Sequence, residues 1–280
     1  MRQNTVCDFA TSDIWVILSP IEQSIKRKIE AVGTPLKDWD INIYRGVLTG
    51  CNEAFIISTE KRNEILSNCQ TEDEQKRTEE LIRPILRGRD IKRYGYDWAG
   101  LWLINTHNGI KGRLERIHIE DYPAVKAHLD QYWDKISTRA DKGDTPYNLR
   151  NCAYMEDFLK PKIVWGNLNL IGAYSYAPEG MFINAPSPFI ATSNTAFLHI
   201  LNSKIADYYI RSLGVTRNGG YFEYKPMFVD KLPVPQQGIN RLMKFPSLPS
   251  KEQEQEMASI IYCLYGLTLQ EIDYLENREF

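Results

Sequence analysis

Apolar side chains recur along this chain at two spacings, and the switches between them mark its elements. From Pro20 to Ala31, Ile21, Ile25 and Ile29 return every fourth residue, which places them on one helix face. Ser19 stands at the cap, Pro20 at the first helical position, and Gly33 and Pro35 end the segment. The pattern then becomes β-rich. INIYRGVLTG (41–50) and EAFIIS (53–58) read as two strands around the turn-forming tetrad TGCN. Residues 59–82 are polar and helical, and GLWLINT (100–106) reads as a strand. Residues 121–139 read as one helix capped by Asp121, with Pro123 near its start. Its buried stripe is Val125, Leu129, Tyr132, Trp133 and Ile136.

Further on, DKGDTPYNLRN (141–151) is a loop, and KIVWGNL, GAYSYAP and MFIN are three short strands. FIATSN ends a last strand before Ser193 or Asn194 caps another helix. That helix carries Leu198, Leu201, Ile205 and Tyr208 on one side and stops at Gly214. VTRNGGYFEYKP (215–226) is a glycine-containing loop or tight hairpin, and KLPVPQQG (231–238) reads as a Pro-rich linker. Met257, Ile260, Ile261 and Leu264 then form a helical stripe, and TLQE (268–271) is a capping box opening a last helix. The pattern predicts an α+β fold: a twisted, mostly antiparallel sheet or sheets flanked by helices, with a C-terminal helical tail.

Charge changes this picture more than composition does. The chain of 280 residues has a formal net charge of −2. From Ser250 on, seven acids face two bases, a net of −5, which leaves +3 for the rest. Five cysteines, Cys7, Cys51, Cys69, Cys152 and Cys263, are scattered without metal-ligand spacing and read as reduced thiols of a cytoplasmic protein. Four dispersed histidines suggest no zinc site. No basic leader followed by an apolar run is present, so no signal peptide is expected. No apolar run approaches the roughly 20 residues that span a bilayer.

No catalytic constellation emerges. NAPSPF (184–189) is superficially similar to the Asn-Pro-Pro-aromatic motif of amino-methyltransferases, but Ala185 and Ser187 interrupt it, and a Pro-rich strand edge is the better reading. No glycine-rich loop follows a strand and opens a helix. EDEQK (72–76) holds nuclease residue types without a strand beside them and reads as a solvated helix face. His107 reads as a turn histidine rather than a general base.

What remains is clustered basic charge. RPILRGRDIKRYG (83–95) sets five cations against Asp90, and further basic stretches lie at Arg139–Lys142–Arg150, at Lys160–Lys162, and at Arg217 with Lys225. Arginine offers a planar fork of donors that fits a phosphate or a guanine edge. The plainer reading is a set of solvated faces and internal ion pairs.

IYRGVLTGCNEAFII (43–57) followed by IRPILRGRDIKRYGYDW (82–98) resembles the C-terminal specificity domain of TaqI-like DNA methyltransferases and type IIG restriction-modification enzymes. The likeness continues in order through RADKGDTPYNLRNC (139–152), LNSKIADYYIRSLG (201–214) and GGYFEYKPMFVDKLPVP (219–235). It implies a DNA target-recognition domain over 41–237, with a helical lead-in at 1–40 and a helical tail at 238–280. It implies double-stranded DNA as partner, together with methyltransferase and nuclease domains in cis or in trans. S-adenosylmethionine and magnesium would be bound there, since this chain carries neither motif set. Candidates for the DNA face are Arg87, Arg89, Lys92 and Arg93 in the first basic stretch, Lys142, and then Arg217, Asn218, Tyr221 and Lys225. Thr49 and Asn52 are either polar contacts or turn-formers. The rival reading is a protein-interaction module whose basic stretches form internal salt bridges.

Overall fold

The computed structural model describes residues 18–214 and 216–278; Cys7 and Val215 lie outside them. Two four-stranded sheets organise the chain. In the first, strands run in the order Tyr174–Ala177, Lys162–Trp165, Pro188–Ala191, Ile43–Arg45, all antiparallel. In the second the order is Phe182–Ile183, Ile82–Leu86, Leu101–Ile104, Ile56–Ser58, with only the Phe182–Ile183 pairing parallel. The α+β expectation is met, with mostly antiparallel sheets and helices around them.

The first sheet is buried on both faces. Ile163 and Trp165 point into one core, shared with Ile25, Ile29, Ile205 and Ile261. Val164, between them in sequence, points into a second core with Phe55, Leu103, Val125 and Phe158. The period-2 alternation of a strand thus serves two cores at once. The lead-in helix Pro20–Val32 and the tail helices Lys251–Leu264 and Leu269–Glu276 lie on the first core. Ser19 caps the lead-in helix in a full capping box with Glu22, and Thr268 does the same with Glu271.

Several elements differ from the sequence pattern, each for an identifiable reason. INIYRGVLTG keeps only Ile43–Arg45 as strand. At Gly46 the chain crosses toward the second sheet, and a methyl there would sit 2.5 Å from the Ile183 carbonyl oxygen. EAFIIS opens with a helical turn, Asn52–Phe55, before the strand Ile56–Ser58. Ala54 and Phe55 are both fully buried on that turn. The single helix expected over 121–139 is two, Pro123–Asp130 and Trp133–Thr138, and Asp121 caps neither. Tyr122, preceding proline, is held out of the helical region at φ −131°, ψ 63°. Trp133 is exposed rather than part of the stripe. The helix after Asn194 also divides, into Thr195–Leu201 and Lys204–Ser212, because Ser203 caps a fresh start on the Ala206 N–H. Asn202, in the break, hydrogen-bonds Tyr174 in both directions.

The Pro-rich "linker" is no linker. Pro233–Pro235 pairs antiparallel with Gly33–Pro35, and Val234 is fully buried in the first core. Nor is EDEQK wholly solvated. Glu74 is buried, and its carboxylate accepts from the Gln70 and Ala124 N–H groups, the latter at 3.0 Å. It caps the Pro123–Asp130 helix in space rather than in sequence. NAPSPF forms the crossing between the sheets: Asn184 donates to Leu86 O, Ala185 to Val47 O, and Pro188 begins a strand.

Candidate nucleic-acid interface

The basic stretch 83–95 is built from a strand, a turn and a hairpin. Ile82–Leu86 delivers the chain to a single 3-10 turn, Gly88–Asp90, followed by Ile91–Lys92 paired with Gly95–Tyr96. Asp90 is buried at the centre of the turn. It takes the Arg87 fork in two bonds, 3.0 Å to Nε and 2.7 Å to Nη2, and the Arg87 N–H at 2.9 Å. Burial raises the Asp90 carboxyl, but the Arg87 bonds outweigh it and hold the pKa below the usual range. Arg87 therefore closes the turn instead of projecting a fork. Arg93, though exposed, is also paired: it meets Glu254 on the tail helix and donates to Asn202 O at 3.3 Å. Arg89 and Lys92 are exposed, and among the described residues neither forms an ion pair within 4 Å; Lys92 Nζ donates to Arg89 O.

Residues 216–225 form the second part. Arg217 N donates to Tyr221 O at 2.6 Å around the turn Asn218–Gly220, whose Gly219 and Gly220 hold φ of 76° and 82°. That left-handed pair is open to glycine and strained for other residues. Phe222–Glu223 then pairs with Leu168–Asn169, Phe222 opposite Asn169 and Glu223 opposite Leu168. Glu223 takes Arg217 at 3.1 Å and Lys225 at 2.7 Å. One carboxylate cannot neutralise both cations. Asn218 and Tyr221 are exposed.

These two regions, more than 120 residues apart in the chain, meet at the 166–170 turn. A methyl on Gly166 would lie 3.0 Å from the Gly88 carbonyl oxygen, and one on Gly88 would lie 2.7 Å from Ser187 Oγ. On the other side, Tyr224 N donates to Asn167 O at 2.8 Å. The glycines permit this close approach, so the segment carrying Arg89 and Lys92 meets one side of this turn and the segment carrying Arg217, Asn218, Tyr221 and Lys225 the other.

One helix braces the assembly. Asp207 and Arg211, one turn apart on Lys204–Ser212, face the same way. Asp207 Oδ1 accepts from Gly172 N at 2.8 Å and from the Tyr224 hydroxyl. Arg211 donates to Leu170 O at 2.7 Å, to the Tyr224 hydroxyl and to Gly220 O. Burial raises the Asp207 carboxyl above its ordinary value, against the opposing pull of these bonds. Neither residue was among the sequence candidates. Their only signal is i,i+4 spacing of opposite charges on an otherwise apolar helix.

Lys142 lies elsewhere, in the 139–152 loop, where it donates to Ser137 O at 2.5 Å. Its neighbour is the TGCN turn, since a methyl on Gly50 would meet Asp141 O at 2.8 Å. Thr49 there is buried and donates to Asn52 Oδ1 at 2.6 Å, which makes both residues turn-formers in this structure. Arg139 is buried over the Phe55 ring and donates to the carbonyls of Thr49, Pro146 and Asn148. Burial draws its pKa down to about 10. Lys162 is likewise buried, its pKa brought down to about 8, while Arg150 pairs with Asp141 and Lys160 with Asp157. Arg139 and Lys162 are thus structural charge in the fold, while Arg150 and Lys160 stay exposed, each paired with a nearby carboxylate.

A groove of about 570 Å³ opens beside the face, lined by Arg93, Tyr94, Ile171, His199, Asp207 and Glu254 among others. His107 accepts the Gly109 N–H on Nδ1, as a turn histidine does. Among the described residues, no group of His, Cys, Asp or Glu is placed to hold a metal, and no helix is long and apolar enough to cross a membrane.

Comparison with known proteins follows the same outline. Residues 83–234 match the model of the TaqI-like C-terminal specificity domain. Among solved structures, the type IIL restriction-modification enzyme MmeI, determined in complex with DNA, superposes with a TM-score of 0.61 at 12% identity, over 87% of this chain and 35% of that one. The type IIG restriction endonuclease BpuSI gives 0.48 at 12% identity, over 88% and 33%. The chain thus spans about a third of the length of these structures, and the MmeI likeness is one of fold. No curated protein matches its sequence.

Proposed function

The chain belongs to the TaqI-like C-terminal specificity domain family, and from that premise we propose that it recognises a DNA sequence for a restriction-modification enzyme. In this reading the two-flanked face around residues 166–170 lies against duplex DNA. Arg89, Lys92, Arg217 and Lys225 take phosphates, and Asn218 and Tyr221 reach toward bases. Methylation of adenine at N6 and strand cleavage belong to other parts of the enzyme, in cis or in trans. S-adenosylmethionine and magnesium would be held there.

The observation that carries the proposal is the meeting of the 88–92 and 217–225 segments at one turn, with their cations in excess of carboxylates. Charge that served only internal pairing would be matched, as it is at Arg87 and Arg93. Those two residues favour the rival interaction module in part, and their pairing removes them from the proposed contacts. Lys142 is not joined to this face by any hydrogen bond or ion pair among the described residues, and it is left outside it.

The test is binding of the 280-residue chain to a pool of random-sequence duplexes as a function of salt. Four phosphate contacts predict a loss on the order of a hundredfold for a fourfold rise in salt. Enrichment of one sequence from the pool supports recognition rather than coating. Absence of duplex binding even at low salt would overturn the proposal.

A further inference from the structure

The face carries side chains that a phosphate-binding surface does not need. Leu168, Leu170 and Ile171 are each about half exposed, at 51%, 50% and 50%, and Tyr221 is 42% exposed. Single exposed apolar residues are ordinary. These are adjacent: Leu168 stands opposite Glu223 in the strand pair, and a methyl on Gly220, next to Tyr221, would lie 3.8 Å from Leu170 Cδ2.

Their backbone is also held in place. The Leu170 and Gly220 carbonyls both accept from Arg211, and the Gly172 N–H donates to Asp207. Tyr224 bridges the two charged groups through its hydroxyl. The helix Lys204–Ser212 therefore fixes the two loop tips relative to each other by charge-assisted bonds, which are stronger than neutral ones.

We propose that Leu170 and Tyr221 form an apolar wedge pressed against or between base pairs, with Asp207 and Arg211 as the positioning residues that hold it. This rests on the DNA-face reading above. Cations around the wedge argue for DNA as its occupant. Protein interfaces are depleted of charge at their centre, whereas Arg217 and Lys225 stand beside Leu168 with one carboxylate between them. Nucleic-acid binders combine the two elements: apolar or aromatic groups unstack a base step while surrounding cations hold the bent backbone.

The experiment uses duplexes recovered from the random pool by the full chain, with 2-aminopurine placed at successive positions to report unstacking. The unsubstituted chain should raise fluorescence at one or two positions. Leu170→Ala and Tyr221→Ala should each weaken binding about tenfold, leave the salt slope unchanged and abolish the fluorescence rise. Arg217→Ala should keep the rise and reduce the salt slope by about one. Asp207→Ala, with circular dichroism confirming an intact fold, should lose the rise, and Asp207→Asn should restore it. Unchanged affinity and fluorescence in both wedge variants, with Arg217→Ala still impaired, would overturn the wedge and leave the DNA face standing. Failure of the unsubstituted chain to bind any duplex would overturn both. Wedge variants that bind DNA normally but no longer associate with a methyltransferase domain would assign the patch to protein docking instead.

Discussion

Arg139 and Arg217 sit in loops of similar composition, each followed within a few residues by another cation and by glycine or proline. Their fates are opposite. Arg139 is buried, stacked on Phe55, and spends its donors on three backbone carbonyls that hold the 139–149 loop against the Thr49 turn. Arg217 stays on the surface and shares Glu223 with Lys225. The first arginine supplements the loop's own backbone bonds, giving the Thr49 and Pro146 carbonyls a donor and Asn148 O a second one beside the Gly143 N–H. The second is available to an outside anion at the cost of one shared, solvated ion pair, worth little in itself. Basic charge in a loop therefore divides into loops that the charge builds and loops that present it.

The contrast breaks most visibly at Arg139. Arg139→Ala should cost about 3 kcal/mol, because the buried Thr49 carbonyl and the Pro146 carbonyl lose this donor and Asn148 O keeps only the Gly143 N–H. Thermal unfolding should show it, and binding to duplex should fall only as the folded fraction falls. An equal loss of DNA affinity in the fully folded variant would make Arg139 a contact residue and erase the distinction.

Next in size is the brace under the presenting loops. Asp207→Ala should destabilise by about 2 kcal/mol, since the Gly172 N–H and the Tyr224 hydroxyl lose their acceptor. Asp207→Asn keeps an acceptor and removes a carboxyl whose pKa burial has raised. A raised carboxyl favours the fold in its protonated form, so its contribution is present below the unfolded pKa and is lost as pH rises through the folded value. Chemical denaturation at neutral pH should accordingly find the asparagine variant at or above the unsubstituted chain, and the gap should narrow in acid.

The tail supplies an intermediate case of inward charge near the surface. Glu22 and Glu271 are each pushed up by burial, but hydrogen bonds win. Those from Ser19, Tyr274 and Arg278 take Glu22 to about 2, and those from Lys28, Ser24 and Thr268 take Glu271 to about 2. Lowered carboxyls stabilise above the unfolded pKa of 4.5 and lose that contribution as pH falls toward about 2. A stability profile over that window should decline, and Glu271→Gln should flatten part of the decline. An equally steep profile in the variant would place the acid sensitivity elsewhere.

Smallest in stability is the pair that presents charge. Arg217→Ala with Lys225→Ala should change unfolding by less than about 0.5 kcal/mol while reducing the salt slope of duplex binding by about two. A large loss of stability would move these residues into the class of Arg139.

The fold class, the caps at Ser19 and Thr268 and strands such as Leu101–Ile104 and Lys162–Trp165 were legible because they depend on local spacing, whereas Ile82–Leu86, in the second sheet, was not. Ser19 with Glu22 and Thr268 with Glu271 are written within four residues. The candidate face was legible only in part. Its cations could be counted, but their direction depends on partners far away in sequence. Arg93 is claimed by Glu254, and Arg139 by carbonyls that the Thr49 turn brings to it. Arg87 is the exception, since Asp90 lies three residues on and its pairing could be anticipated. The 166–171 apolar turn went unnoticed because GNLNLI reads as the end of a strand. Its exposure follows from pairing with Phe222–Glu223, which no local pattern encodes. The KLPVPQQG segment shows the reverse error, where proline suggested a tether and burial made it a strand.

That strand has a consequence for how the chain assembles. Thr34 pairs with Val234, two positions separated by 200 residues. Closing a loop of that length costs about 5 kcal/mol of chain entropy before any contact repays it. The ladder is three residues long and rich in proline, so it cannot meet that cost alone. It becomes favourable only once the intervening sheets have already drawn the two ends together. The lead-in helix and the Pro233–Pro235 strand should therefore dock late, as a latch on a body folded beforehand, and a chain cut just before Lys231 would keep its second core while losing the latch.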